Sequence, residues 1–89
     1  MINRKGVGTV GTKQAIANRI IQLCEQHRIA VNELASRSGV SPSTVYSILD
    51  ERSQNPGAVT IKKLCDGLEI TLGEFFNTPE FDALEQEIK

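Results

Sequence analysis

A short break between two helical segments is the feature that most constrains the fold of this chain. Gly39 stands where a helix commonly ends in the left-handed conformation, which glycine adopts without steric cost. Ser41 and Pro42 follow as an N-cap residue and a proline at the first helical position, a combination that favours the start of a new helix. The sequence therefore predicts helices over residues 31–38 and 42–49, joined by a sharp turn.

Apolar residues also recur at helical spacing before this turn. A first helix is predicted from Thr12, its expected N-cap, to about Arg28. Its apolar face consists of Ile16, Ile20, Leu23 and Cys24, with His27 on or beside it. We interpret His27 as a structural histidine near the end of this helix, because no second histidine or activated nucleophile accompanies it.

Three further helices are predicted after the turn. Thr60 is expected to cap a fourth helix, and residues 71–74 (Thr-Leu-Gly-Glu) have the form of a capping box that opens a short fifth helix ending near Asn77. A last helix is predicted to start at Thr78-Pro79. Its narrow apolar stripe consists of Phe81, Leu84 and Ile88. Because no stretch alternates at period two, the sequence predicts five or six helices and no sheet.

Length and composition point to one small domain. The chain has 89 residues, of which 39% are hydrophobic, enough for one core and too few for two. No apolar run approaches the roughly 18–20 residues needed to cross a bilayer, and no secretory signal is present, so we expect a cytoplasmic protein that does not contact membranes.

The cysteines and the single histidine bear on metal binding. Two Cys and one His cannot supply the roughly four ligands of a structural zinc site, and we expect neither a metal ion nor a cofactor. Cys24 and Cys65 each lie within an apolar helical stripe. We expect them to be buried, reduced thiols, with a disulfide as the alternative.

The net charge of −1 conceals an asymmetry along the chain. Residues 1–63 hold nine Lys or Arg against four acids, a net charge of +5, whereas residues 64–89 hold one Lys against seven acids, a net charge of −6. Such asymmetry suggests a polyanionic partner for the basic half. An ordinary solvated surface with an acidic tail is the alternative.

The residues around the turn also carry a family resemblance. The run from Asn32 to Leu49 resembles the Cro/repressor-type (XRE) helix-turn-helix, and the match continues through residues 52–56, 64–68 and 71–76. The resemblance covers about residues 14–77. It implies an all-α, five-helix, lambda-repressor-like helix-turn-helix domain that binds double-stranded operator DNA, commonly as a homodimer. The expected extra short C-terminal helix lies outside the match.

We therefore divide the chain into three parts. These are a flexible N-terminal arm at residues 1–11, a helix-turn-helix DNA-binding domain at 12–77 and an acidic C-terminal helix at 78–89. Arg4 and Lys5 would let the glycine-containing arm touch a phosphate or a minor groove, with a cloning remnant or plain disorder as the alternative. The apolar stripe of the last helix must be covered, either by its own domain or by a dimer partner.

The resemblance makes residues 42–49 the recognition helix, which is expected to enter the major groove. The residues predicted to contact DNA are Ser41, Pro42, Ser43, Thr44, Tyr46, Ser47, Arg52, Gln54 and Asn55. The last three match backbone-contacting positions of the family, and Tyr46 is expected to touch a thymine methyl group or a phosphate.

This chain departs from the family pattern at three places. Residues 30–31 are Ala-Val where a hydroxyl residue and Gln are usual, and residues 50–51 are Asp-Glu where Asn-Gly often ends the recognition helix. Two carboxylates there would repel phosphates and oppose the helix dipole. The reading face also has no Arg, Lys, Gln or Asn before Arg52. We therefore expect modest intrinsic specificity that depends on dimerisation, the loop or the N-terminal arm.

The sequence as a whole predicts a sequence-specific DNA-binding transcriptional regulator, with repression as the expected mode. The alternative is a protein-interaction module on the same scaffold with weak or no DNA binding, which the acidic residues 50–51 and 79–89 fit better. An enzyme is not expected, because the chain offers a single His, no nucleophile elbow and no phosphate loop. We predict no catalytic residue and no small-molecule substrate.

Overall fold

The computed structural model describes residues 11–50 and 55–88, and these ranges are helical without any strand. Six helices follow one another: α1 (Thr12–His27), α2 (Val31–Ser38), α3 (Pro42–Leu49), α4 (Ala58–Leu68), α5 (Leu72–Phe76) and α6 (Pro79–Asp82). The predicted all-α class with a short extra C-terminal helix is confirmed. The predicted bounds of α2 and α3, on either side of the turn, are also confirmed.

Local signals explain the helix boundaries around the turn. Gly39 ends α2 with a φ of 68°, a left-handed conformation that disfavours any side chain. The Ser41 side chain accepts a hydrogen bond from the Thr44 backbone N–H at 3.3 Å and so caps α3. At the start of α5, Thr71 and Glu74 form the predicted capping box, with reciprocal bonds of 3.0 and 2.8 Å.

Two predicted helix starts are wrong. Thr12 is the first residue of α1 and Gly11 is its N-cap, while α4 begins at Ala58 with Gly57 as its N-cap, ahead of the predicted cap Thr60. Neither glycine cap makes a side-chain hydrogen bond, because glycine has no side chain to offer. A helix start capped by glycine has no hydroxyl side chain to indicate it in the sequence, whereas a threonine lies one residue after Gly11 and three after Gly57.

The predicted last helix is shorter than expected. The Thr78 hydroxyl accepts a hydrogen bond from the Phe81 N–H at 3.3 Å and starts α6, which ends at Asp82. Residues 84–88 are not helical, and Ile88 is 83% exposed, so its predicted place in an apolar stripe is wrong. Phe81 packs against the core of its own domain. Residues 85–88 are all exposed, so no packing contact stabilises a longer helix.

The core is a single cluster contributed by the first five helices. Its buried members are Ile16, Ile20, Leu23, Cys24, Leu34, Ala35, Val45, Ile48, Ile61, Leu64, Cys65, Leu68 and Phe75. Cys24 and Cys65 are buried, as predicted, and both are free thiols. His27 is exposed at the end of α1, so its predicted place on or beside the buried stripe is wrong.

Helices α2 and α4 approach each other closely at one point. Gly67 is buried, and a Cβ atom at this position would lie 2.1 Å from Ser38 Oγ and 3.1 Å from the Ser38 backbone nitrogen. Glycine therefore permits this contact. The Ser38 Oγ atom is itself buried and has no hydrogen-bond partner. Helices α2 and α4 are therefore in close contact at this point.

None of the helices in the described ranges combines the length and apolar character that a membrane span requires.

Candidate nucleic-acid interface

The start of α3 presents a cluster of hydroxyl groups to solvent. Ser41 Oγ lies 3.2 Å from Ser43 Oγ and 2.9 Å from Thr44 Oγ1, and all three residues are exposed. Pro42, also exposed, occupies the first helical position, where an N–H would have no intrahelical partner. Hydroxyls can donate to a phosphate or a base edge and can accept from a base amino group. This helix start therefore has the polar chemistry that contact with DNA requires.

Buried residues fix the orientation of α3. Val45 and Ile48 are 0% and 3% exposed and anchor the helix in the core. Ser47 lies on the exposed side between them, and Tyr46 is 50% exposed. The helix therefore turns its serines, Thr44 and part of the Tyr46 ring outward, in the register that the sequence predicts.

An open groove runs from α3 to the start of α4. Thr44 and Ser47 line one wall, and the other side is lined by the loop residues Asn55 and Pro56 together with Gly57 and Thr60 at the start of α4. The N-cap residue of α4 is Gly57, which offers no side-chain hydrogen bond to the first-turn N–H groups. Helix N-termini of this kind favour anions such as phosphate.

The structure describes seven of the nine residues predicted to contact DNA, and all seven are exposed. It brings Thr44, Ser47 and Asn55 together along the groove. Ser41, Pro42, Ser43 and Tyr46 lie on or beside α3 without lining the groove. Arg52 and Gln54 lie outside the described residues.

Lys13 is a residue of this region that sequence reasoning missed. Its Nζ atom donates hydrogen bonds to the backbone carbonyls of Ile48 at 2.9 Å and Asp50 at 2.8 Å. A cation at the end of a helix satisfies carbonyls that lack intrahelical partners and stabilises the negative end of the helix dipole. Lys13 therefore offsets the unfavourable acidic residue at the end of α3. No local sequence signal marks this contact, because 35 residues separate Lys13 from Ile48.

A second cation of α1, Arg19, binds backbone carbonyls at the C-terminal end of α5. Arg19 donates from Nε to the Phe75 carbonyl at 2.7 Å and from Nη2 to the Glu74 carbonyl at 2.8 Å. Arg19 also bonds to the Gln22 side chain on its own helix. Two cations on α1, six residues apart, thus hold the C-terminal ends of α3 and α5 against the rest of the fold.

Some of the remaining Lys and Arg side chains are paired with carboxylates of the chain itself, and others are not. Arg37 pairs with Glu33 at 2.7 Å on α2, and Lys62 pairs with an acid one turn along α4. Among the described residues, this leaves Arg28 and Lys63 as the cations without an ion pair or side-chain hydrogen bond. The described part of the candidate interface therefore offers hydroxyls, one amide and a helix N-terminus rather than a dense basic patch.

Comparisons with known proteins agree with this geometry. A family model for the Cro/C1-type HTH DNA-binding domain matches residues 19–80, a range that includes all of α2 to α5. The chain is also similar to prophage Lp1 protein 11, whose crystal structure matches this fold with a TM-score of 0.74 and 27% sequence identity. That alignment covers 82% of this chain and 96% of the other. No curated protein matches the sequence.

Proposed function

Because the chain belongs to the Cro/C1-type helix-turn-helix DNA-binding domain family, we propose that it is a sequence-specific transcriptional repressor that inserts α3 into the major groove. The observation that carries the proposal is the polar outer face of α3, which continues into the groove lined by Thr44, Ser47 and Asn55. Val45 and Ile48 on the opposite side of the same helix are buried in the core and so fix which way this face points.

The proposal assigns different tasks to the exposed residues of this face. Ser43, Thr44 and Ser47 would meet base edges, because they are exposed on the helix proposed to enter the groove. Ser41 and Asn55 flank that helix and would bind backbone phosphates. The N–H groups at the start of α4 would add a further phosphate contact.

The remaining predicted contacts have supporting roles. Pro42 would pack against the sugar-phosphate backbone at the helix start, and Tyr46 would contact a thymine methyl group or a phosphate from the edge of α3. Arg52 and Gln54 follow α3 in the chain, where the family resemblance gives them backbone contacts.

Specificity under this proposal is modest for a single copy of the chain. Hydroxyl side chains discriminate between bases less than the bidentate contacts of Arg, Gln and Asn, each worth about 1–3 kcal/mol. A homodimer would double these contacts by binding two half-sites about one helical turn apart. We therefore propose a homodimer that acts in the cytoplasm on a palindromic operator.

One observation favours a second candidate, a protein-interaction module on the same scaffold. Among the described residues, most cations already bind carbonyls or carboxylates of the chain itself, as Lys13, Arg19 and Arg37 do. A surface with few available cations attracts phosphates weakly. Such a module would use the same outer face of α3 to bind a protein.

Fluorescence anisotropy with random-sequence duplex DNA at about 50 mM and 200 mM salt separates the two candidates. A protein that contacts several phosphates should bind at low salt and lose at least about tenfold in affinity over this range, through counterion release. No binding at 50 mM salt would contradict the repressor proposal and favour the protein-interaction module. Selection from a random library should then return a palindromic site if the homodimer is correct.

A further inference from the structure

The C-terminal segment of residues 79–88, here called the tail, lies along α1. Near its start, Glu80 Oε2 accepts a hydrogen bond from Asn18 Nδ2 at 3.1 Å. Near its end, Glu87 Oε2 accepts one from Thr12 Oγ1 at 2.7 Å. The tail therefore runs antiparallel to α1, from the middle of that helix back to its first residue.

An apolar contact anchors the tail between these two hydrogen bonds. The Phe81 ring packs edge-to-face on Phe76 with a centroid separation of 4.9 Å, and lies 6.1 Å from the Phe75 ring. Leu84 is half-buried. The tail is thus attached to its own domain by one aromatic cluster and two carboxylates.

The end of the tail reaches the loop that borders the candidate DNA interface. Glu87 lines a pocket together with Thr12, Lys13, Asn55 and Pro56. Asn55 and Pro56 also line the groove that faces Thr44 and Ser47 on α3. A single loop therefore separates the Glu87 carboxylate from the surface proposed to meet DNA.

The charge of the tail opposes DNA at this place. Residues 79–88 contain four carboxylates and no cation. A phosphate at Asn55 would share one pocket with the Glu87 carboxylate, which occupies the N-terminal end of α1, and with Lys13, whose ammonium already binds two carbonyls at the end of α3. Repulsion between the two anions would weaken binding.

We propose that the tail is a built-in electrostatic competitor for DNA. Glu87, docked on Thr12, holds negative charge beside the DNA-facing loop and lowers the affinity of the domain for phosphates. Removal of this charge from its place beside the loop raises that affinity. This inference rests on the proposed DNA binding by α3 and its groove.

The test compares charge changes at Glu87 with the same changes at Glu69 in the full chain. Glu69 is exposed at the C-cap of α4, at the opposite end of that helix from the groove, about 18 Å along the axis from Gly57. The variants Glu87→Gln, Glu87→Lys, Glu69→Gln and Glu69→Lys are titrated by anisotropy with one duplex at several salt concentrations. Circular dichroism confirms that each variant is folded.

We expect Glu87→Gln to tighten binding about threefold at about 50 mM salt and less at 200 mM, because salt screens the repulsion. Glu87→Lys should tighten binding about tenfold and steepen the dependence of log affinity on log salt by about one, as one new phosphate contact would. Both changes at Glu69 should have less than half of these effects.

Two results would overturn the proposal, and they are distinguishable. If wild-type protein binds DNA with the expected salt dependence and the Glu87 variants match the Glu69 variants, only net charge matters and the competitor role is wrong. If neither the wild-type protein nor any variant binds duplex DNA at 50 mM salt, the DNA-binding proposal fails and the competitor role fails with it.

Discussion

The Lys13 ammonium donates a hydrogen bond to the Ile48 backbone carbonyl at 2.9 Å and so joins the start of α1 to the end of α3. A second bond from the same nitrogen reaches the Asp50 carbonyl at 2.8 Å. Both contacts are partly buried. These two bonds make the position of α3, the proposed recognition helix, depend on a residue from a different part of the sequence.

Replacing Lys13 with Met should destabilise the fold measurably. The variant keeps much of the apolar stem but leaves two partly buried carbonyls without their charged donor, so we expect the free energy of unfolding to fall by about 1–3 kcal/mol. Urea denaturation followed by circular dichroism measures the change. Lys62→Met is the matched control, because it removes an exposed ion pair and should cost less than about 1 kcal/mol. Equal losses in the two variants would contradict the capping role of Lys13.

The contact between Gly67 and Ser38 gives a second prediction. A Cβ atom at residue 67 would lie 2.1 Å from Ser38 Oγ. Gly67→Ala should therefore lower the free energy of unfolding by about 1–3 kcal/mol through overpacking, although alanine favours a helix more than glycine does.

A double-mutant cycle identifies the atom responsible for this loss. Ser38→Ala alone should be neutral or stabilising, because it removes a buried hydroxyl that has no hydrogen-bond partner. Combined with Gly67→Ala, it should recover more than half of the lost stability in urea denaturation. A Gly67→Ala variant as stable as the wild-type protein would show that α2 and α4 can separate without cost.

A negative charge on the outer face of α3 should weaken DNA binding without unfolding the domain. Ser47 is exposed and lines the groove, so we expect Ser47→Asp to reduce the affinity for duplex DNA about tenfold at low salt through repulsion of phosphates. Ser36→Asp on α2 is the control for the same exchange at another exposed serine. Anisotropy titrations that show equal losses for both variants would rule out a specific role for the Ser47 face.

The sequence predicts a feature of this fold when the residues that determine the feature are close together along the chain. Gly39, Ser41 and Pro42 are close neighbours in the chain, and the helices on either side of them have the predicted bounds. The glycine caps of α1 and α4 have no side-chain signal, and both predicted starts are wrong. The contacts of Lys13 join residues far apart in sequence, which local patterns do not encode.

In the candidate site, too, features set by residues close together in the sequence are predicted, and features that depend on distant residues are not. The register of Val45 and Ile48 predicts which side of α3 faces outward, and the predicted contact residues on that side are exposed. The groove they share with Asn55 depends on how α4 packs, which the sequence alone does not specify. The sequence does not predict the docking of Glu87 on Thr12 either, because its apolar spacing predicts a continuous helix through Ile88.

The two buried thiols predict how stability changes with pH. Burial raises the pKa of Cys24 and Cys65 in the folded chain, and a neighbouring carboxylate acts in the same direction on each. Above the unfolded pKa of about 8.5, the unfolded chain loses these protons while the folded chain keeps them. The contribution of the thiols is therefore fully present below pH 8.5 and declines as the pH rises, by up to about 1.4 kcal/mol per pH unit for each thiol. Urea denaturation between pH 7 and pH 10 should show a shallower decline for the Cys24→Ala, Cys65→Ala double variant, and parallel declines would mean that neither thiol is protected from ionisation.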